Sequence, residues 1–200
     1  MMYIEFIERD RFVPIELFRY LADQESIWKE GNIDKLVLQL GRTFRFGPIP
    51  SYLAFWQIPT FDRIDVWQDY FGSDAAFRNR RSSAMHRGIH VQRAGLYDEL
   101  VSQGPYDKEN WYLEYFDAQA SATQESVEKL FRDRAKAHSE VHLEMLLLRV
   151  GALGPEPANI AVWSAAQFKD FERLARSAPA SAGASIDVAG LYRQHWKEIV

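Results

Sequence analysis

The chain has 200 residues, 47% of them hydrophobic and 14% aromatic, with a net charge of −4 and no cysteine. That composition can bury a sizeable core and lies far from the disordered class, while the dominant basic surface that a nucleic acid or a membrane would require is missing. Disulfides, a thiolate nucleophile and a cysteine-ligated metal are excluded with cysteine itself.

The opening "MMYIEFIERDRF" carries acidic residues early and no long apolar run, so it does not read as a signal peptide. Nowhere do about 18 apolar residues follow one another, so no spanning helix is expected, and the cytoplasm is the default location. "MYIEFIE", rich in aromatic and branched residues, is a predicted strand. "DKLVLQLGRTF" and "YLAFWQI" are two more, joined by a turn at Gly47–Pro48. "FDRIDVWQDYF" then puts Ile64, Trp67 and Phe71 on one helical face. "GIHVQRAG" reads as a fourth strand, and "SQGPYDKEN" at 102–110 marks a boundary.

Beyond that boundary the pattern starts again. "YLEYF" at 112–116 reads as a strand, and "TQESVEKLFRDRAKAH" as a helix opened by a capping box at Thr123 and Ser126. Val127, Leu130 and Phe131 share its apolar face. "ASIDVAG" is a last strand, preceded by a flexible loop "SAPASAGAS" at 177–185. The helix after the third strand of the first half and this one, after the first strand of the second half, together give the order β-α-β-β-α-β for each half, the ferredoxin-like order.

The likeness of the halves extends to single residues. "KLVLQLGRTFRFGPIPSYLAFW" at 35–56 aligns without a gap with "HLEMLLLRVGALGPEPANIAVW" at 142–163. Leu36, Leu40, Arg42, Gly47, Pro48, Pro50, Ala54 and Trp56 all meet identical residues there, at a constant offset of 107. Phe61 meets Phe168 at the same offset, and Ala-Gly-Leu-Tyr recurs near the end of each half. Matching blocks in the same order read as a tandem repeat. The fold class is therefore α+β, with two ferredoxin-like repeats over 1–101 and 111–200. A four-stranded sheet with helices on one face leaves the other face bare, so the two antiparallel sheets are expected to pack face to face.

This arrangement resembles the dimeric α+β barrel superfamily, with the dimer fused into one chain. The stretch "GRTFRFGPIPSYLAFWQIPTFDRIDVWQDYF" at 41–71 further resembles the NIPSNAP-like branch, with its Gly-Pro turn, apolar strand ending in Trp and Asp-rich helix start.

Strand side chains alternate between two faces. Taking the smaller apolar set as helix-facing, Tyr3 and Glu5, Gln39, His90 and Gln92, Tyr112 and Glu114, Glu144, Ser185 and Asp187 would point into the barrel, with Trp56 and Trp163 facing the same space. Buried carboxylates are costly unless paired or hydrogen-bonded. Glu5 and Glu114 would therefore either line a ligand cavity, sit at the barrel mouth in water, or bond the tyrosines across the sheet. In the cavity reading His90, Glu5 and Tyr3 form the acid/base group, His90 moving the proton because its ordinary pKa suits neutrality. Trp56, Gln92, Gln39, Tyr112 and Glu114 line the substrate space, with most of the pocket built from the first repeat.

Weaker signals remain. His138 and His142 stand four apart, half of a zinc site if they shared one helix, but His142 aligns with Lys35 at a strand start and no metal is expected. The basic run "RNRRSSAMHR" at 78–87 fits an anion at a pocket rim or a solvated helix end. No dinucleotide, P-loop or nucleophile-elbow motif is present. The superfamily resemblance implies a mostly apolar or aromatic small-molecule ligand in the barrel and cofactor-independent isomerase, cyclase or monooxygenase chemistry. Two alternatives stand beside it. One is haem binding, with His86, His90 and His142 as nominal axial ligands, and the other is a non-catalytic binding or scaffold role. No cofactor, nucleic acid or membrane partner is expected, and a homo-oligomer stays open.

Overall fold

The aromatic and branched runs form strands that pair edge to edge until the sheet closes on itself. A computed structural model describes residues 1–9, 35–43, 50–66, 69, 89–154, 158–177 and 184–194, with the backbone alone at 9, 35, 89 and 90. The strands are β1 (Met2–Arg9), β2 (Lys35–Arg42), β3 (Tyr52–Gln57), β4 (Ile89–Ser102), β5 (Asn110–Ala118), β6 (Val141–Arg149), β7 (Asn159–Ala165) and β8 (Ala184–Gln194). Helix α1 spans Gln124–Ala137, and a short 3-10 turn at Phe168–Asp170 leads into α2, Phe171–Arg176. Residues 63–66 are helical, as expected there. Trp67 and Phe71, the Gly47–Pro48 turn, the basic run with His86, and most of the loop at 177–185 lie outside the described residues.

The closed order is β1-β3-β2-β8-β5-β7-β6-β4, all antiparallel. Each half contributes four strands in one pattern, β4-β1-β3-β2 and β8-β5-β7-β6. Two seams join them. Long β4 pairs first with β1 and then, from Tyr97 to Ser102, with β6, and β8 pairs with β5 and then with β2. The seam bonds are counterparts as well: Val150 N–H donates to Leu96 O at 2.9 Å, and Thr43 N–H to Leu191 O at 2.8 Å. Among the described strands, closure leaves no free edge, which removes the usual route to edge-to-edge association.

Helix α1 begins as its sequence dictates. Thr123 Oγ1 accepts from Ser126 N–H at 3.2 Å, and Ser126 Oγ accepts from Thr123 N–H at 3.0 Å. Together these satisfy two amides that the first turn leaves without helical partners. The helix buries Val127, Phe131 and Arg134, which lie four and then three residues apart on one face.

The two faces of the sheet are the reverse of the expectation. The barrel interior holds Ile4 and Phe6, Leu38 and Leu40, Leu53 and Phe55, Trp111, Leu113, Ile160 and Val162, all buried in one cluster. Tyr112, Leu146, Ala161 and Trp163 point outward and pack beneath Val127 and Phe131 of α1 and Phe171 and Leu174 of α2. The physical reason is width: eight strands enclose a space that side chains alone can fill. Such a space has no second layer from which a partner could reach a buried charge, so the apolar set goes inside. Beneath a helix, a helix residue can supply that partner.

The interior also takes tyrosines. Tyr97, Tyr115 and Tyr192 are buried there, with Tyr115 Oη and Tyr192 Oη 3.5 Å apart. Gly95 makes room for one of them. A Cβ at that position would lie 2.7 Å from Tyr97 Cε2 and 3.1 Å from the Gly154 Cα, so any side chain would displace the ring or the neighbouring backbone. Burial pushes the Tyr115 phenol well above its ordinary value, with the nearby Tyr192 adding to the shift. Burial pushes Tyr192 up to about 12, against the opposing effect of its bond to Tyr115. A raised phenol pKa favours the neutral form in the fold. The stability it represents is therefore complete below the ordinary value of 10 and is lost as pH climbs toward 12. The urea midpoint should accordingly fall steeply between pH 10 and 12, with phenolate absorbance of these tyrosines appearing together with unfolding. Phenolate absorbance complete at pH 10 in the folded protein would contradict their burial.

Candidate functional site

The outward faces of the two halves carry the same residues in the same register. In the second half Tyr112 stands opposite Trp163 and Glu114 opposite Ala161. In the first, Tyr3 stands opposite Trp56 and Glu5 opposite Ala54. Each tryptophan holds the glutamate of its own half: Trp163 Nε1–H donates to Glu114 Oε2 at 3.0 Å, and Trp56 Nε1–H to Glu5 Oε2 at 3.2 Å. Of the three readings of the glutamates, neither the solvated mouth nor the tyrosine bond describes them. They are buried on the outer face of the sheet, bound by indole.

In the second half the space above this row is closed. Arg134 enters from α1 and meets Glu114 with both ends of its guanidinium, Nη1 to Oε2 at 2.7 Å and Nη2 to Oε1 at 2.9 Å. Nη2 also reaches Leu174 O and Ser177 O, each at 3.4 Å. The guanidinium carbon lies 5.5 Å from the ring centroids of both Phe131 and Trp163. Phe116 and Phe131 pack at 4.7 Å, and Tyr112 and Phe171 at 5.6 Å. The Tyr112 phenol is raised by burial first and by the Glu114 charge second, with Arg134 opposing. A buried, bidentate, aromatic-flanked ion pair of this kind is a plug, and it leaves no open wall for a ligand.

Apolar periodicity marks helix α1 in the sequence but passes over its buried arginine. The signal is nevertheless present: Arg134 continues the Val127–Phe131 stripe by one turn, and an arginine on an apolar stripe beneath a buried glutamate is its natural counter-ion.

In the first half one position departs from this scheme. The row across the sheet runs Gln39, Ala54, Glu5 and Ala94, where the second half has Leu146, Ala161, Glu114 and Ala189. Leu146 lies in the apolar cluster under the helices. Gln39 is 0% exposed, and neither its Nε2 nor its Oε1 has a hydrogen-bond partner among the described residues. Leaving such an amide unsatisfied costs about 1–3 kcal/mol, and a leucine at the same place avoids that cost.

The other expected site residues scatter. Gln92 is exposed and falls in a bulge, where the register passes from Arg93 to Val91 without pairing it. Without the bulge it would stand opposite Ile7 on the face that carries Glu5; Val91 takes that place, which corrects the expectation that Gln92 lines a pocket with Glu5. The backbone of His90 pairs with Glu8, and its side chain lies outside the described residues. Glu144 sits in another bulge, between Leu143 and Met145, and accepts from Ser164 Oγ at 2.5 Å. Ser185 and Asp187 are exposed. Trp56 and Trp163 do not share one space, since each lies on the outer face of its own half.

Among the described residues no three His, Asp or Glu side chains are grouped to hold a metal. His138 caps the C-terminus of α1 and bonds Ser177 Oγ at 2.8 Å, whereas His142 is exposed on β6, so the two histidines do not share a helix. A groove of about 300 Å3 beside His142 is lined by Gln103, Arg132, Lys136 and Leu143. Its two cations already face Glu128 and Asp133. Among the described residues no helix is long and apolar enough to cross a membrane.

No protein-family signature matches this sequence, and no curated protein does. Solved structures are similar in fold. A chlorite dismutase variant from Candidatus Nitrospira defluvii, in complex with cyanide, superposes with a TM-score of 0.61 at 11% identity, over 97% of this chain and 90% of that one. An anthrone oxidase-like protein gives 0.61 at 11%, over 97% and 91%. A heme-binding protein from Thermus thermophilus gives 0.57 at 10%, over 96% and 90%. The fold is thus the α+β barrel of these proteins, one related to the dimeric α+β barrels.

If the plug is what neutralises Glu114, Arg134→Met should cost about 3–5 kcal/mol, because it strands a buried charge. Combining it with Glu114→Leu should restore most of that loss in urea unfolding. A single-variant cost below about 1 kcal/mol would mean that Glu114 is not charged and paired as drawn.

Proposed function

We propose that the chain is a small-molecule-binding α+β barrel whose site lies on the outer face of the first half's sheet, over β1, β3 and β2, and not inside the barrel. The observation that carries this reading is Gln39, a fully buried amide with both polar atoms unbonded by any described residue, where the corresponding residue is leucine. An unsatisfied buried group persists where something else uses it. Gln39, Tyr3, Glu5 and Trp56 form the wall of this site. The Trp56 indole holds one oxygen of the Glu5 carboxylate, and Glu5 is the residue to which we assign proton transfer, with Tyr3 beside it. Tyr112 and Glu114 belong to the plugged half and are assigned a structural part. Gln92 drops out through its bulge, and His90 carries no share of the argument.

The ligand is a flat, mostly apolar molecule. The aromatic character of Trp56 and Tyr3 supports this, and so does the likeness to an anthrone oxidase-like protein. Cofactor-independent acid/base chemistry at Glu5 is the reaction class that these residues could serve. The finer kinship, to the NIPSNAP-like branch, rests on the stretch at 41–71. Haem is the second reading, prompted by the heme-binding neighbour. It does not fit the second half: the space beneath α1 and α2 is filled by Phe131, Trp163, Phe171 and the Arg134–Glu114 pair, and His138 is committed to Ser177.

Gln39→Leu tests the proposal, since it installs the residue that the other half uses at this position. The unliganded protein should gain about 1–3 kcal/mol in urea unfolding. Any small molecule that co-purifies with the wild type, seen by native mass spectrometry, should be lost. A variant that is destabilised by as much as it was expected to gain would show that the amide is bonded within the protein, and the reading would fail.

A further inference from the structure

A second concave site lies in the other half, where α1, the start of β6 and the end of β4 meet, and it stands apart from the Gln39 row. After Ala137 the chain turns at once and enters β6, with Val141 N–H donating to His138 O at 3.1 Å. The first residues of β6 thus lie against the last turns of α1, and a groove of about 300 Å3 stays open between them. That volume is at the small end of the range for ligand pockets. Arg132 and Lys136 of α1 form one wall, and Ser139 of the turn closes one end. Val141 and Leu143 form the floor, both members of the apolar layer under the helices. Gln103 follows directly on β4, with its N–H bonded to Glu144 O at 3.0 Å. Strand alternation puts its side chain on the face of Val101, which belongs to the same layer. The same alternation turns the His142 imidazole away from that layer, so it takes no part.

Among the described residues no acidic side chain lines this groove, in a chain whose net charge is −4. Arg132 and Lys136 stand one turn apart on one face of α1, and the pairings they already make are partial. Arg132 gives Glu128 only its Nε, at 2.7 Å, so both terminal nitrogens of the guanidinium keep their N–H groups for another partner. Lys136 Nζ lies 3.6 Å from Asp133 Oδ1, with 79% of its side chain exposed, and Asp133 is held by Lys129 as well. Exposed pairs of that kind hold little. Nor does the end of α1 oppose an anion strongly, since Ala135 O and His138 O accept from the chain's own amides. We infer that the groove binds a small carboxylate carried on a short apolar body. The two terminal nitrogens of Arg132 match the two oxygens of a carboxylate, and Lys136 adds a second positive charge. Gln103 and Ser139 offer further donors, while the body of the ligand rests on Val141 and Leu143. A cation would meet Arg132 and Lys136 with no acid to hold it, and a neutral molecule would leave both charges to water. An acidic segment of a partner protein fits less well, because the site is a short concavity and not a broad face.

The test titrates benzoate, benzyl alcohol and phenyl phosphate into the full chain and follows the backbone amides of Ser139 and His142 by NMR. Benzoate should saturate these shifts in the low-millimolar range, at least about tenfold more tightly than benzyl alcohol. Arg132→Gln should weaken benzoate about tenfold and Lys136→Gln about threefold. Both variants should keep the wild-type urea midpoint, since the two side chains are exposed. Equal binding of benzoate and benzyl alcohol would overturn the anionic ligand. Phenyl phosphate bound more than about tenfold more tightly than benzoate would overturn the carboxylate and leave the anion groove standing. Shifts that never saturate, or that sodium chloride reproduces at equal concentration, would overturn the site, and so would benzoate binding indifferent to Arg132→Gln. None of these results bears on the first half, whose own test is Gln39→Leu.

Discussion

The narrowness of an eight-stranded barrel organises this molecule. Its interior is just wide enough for side chains to fill, and here Ile4, Phe6, Leu38, Phe55, Leu113 and their neighbours fill it. Each fully buried residue of this size contributes roughly 1.5–3 kcal/mol. The buried polar residues on the opposite parity of β1, β2 and β5 consequently face the outer layer. Any chemistry the fold carries in those residues therefore sits on the outside of the barrel, where elements other than the sheet can complete it.

The two halves then treat one shared motif differently. Both hold a glutamate by the indole of a tryptophan on the neighbouring strand, at equal register and opposite an alanine. In the second half Arg134 neutralises the glutamate and aromatic rings fill what remains. In the first, Gln39 replaces the leucine that would have made the layer apolar. A feature shared by both halves belongs to the scaffold, whereas a feature found in one half, and costly there, needs another explanation. Glu5 alone could be scaffold. Glu5 in one row with an unsatisfied Gln39 is better explained as part of a site.

Much of the architecture could be read in the amino-acid order, because repeated blocks at constant offset and period-two alternation are local signals. The strands, the capping box at Thr123 and the separation of His138 from His142 all followed from them. The parity of the sheet did not. Alternation divides residues into two sets without saying which set faces the barrel. Side-chain size chooses wrongly between them, since Phe6 and Leu38 fit inside as readily as Tyr3 and Gln39. Bulges added a second failure. One extra residue left Gln92 unpaired on β4, with Val91 opposite Ile7 in its place, and such an insertion leaves no mark in composition. Arg134 could have been found, had its place on the Val127–Phe131 stripe been set against the buried glutamate expected from β5. Gln39 was singled out in the sequence, but what sets it apart appears only once its described neighbours are known to offer it no bond.

The most direct measurement is a high-resolution crystal structure of the protein as purified, with attention to the density around the Gln39 side chain. The account predicts a bound small molecule, or ordered water standing in its place, within hydrogen-bond distance of both amide atoms on the outer face of the sheet, with the barrel interior filled by protein side chains. A ligand seated inside the barrel among Phe55, Leu113 and Val162, or a Gln39 amide bonded at both ends by the protein itself, would contradict it.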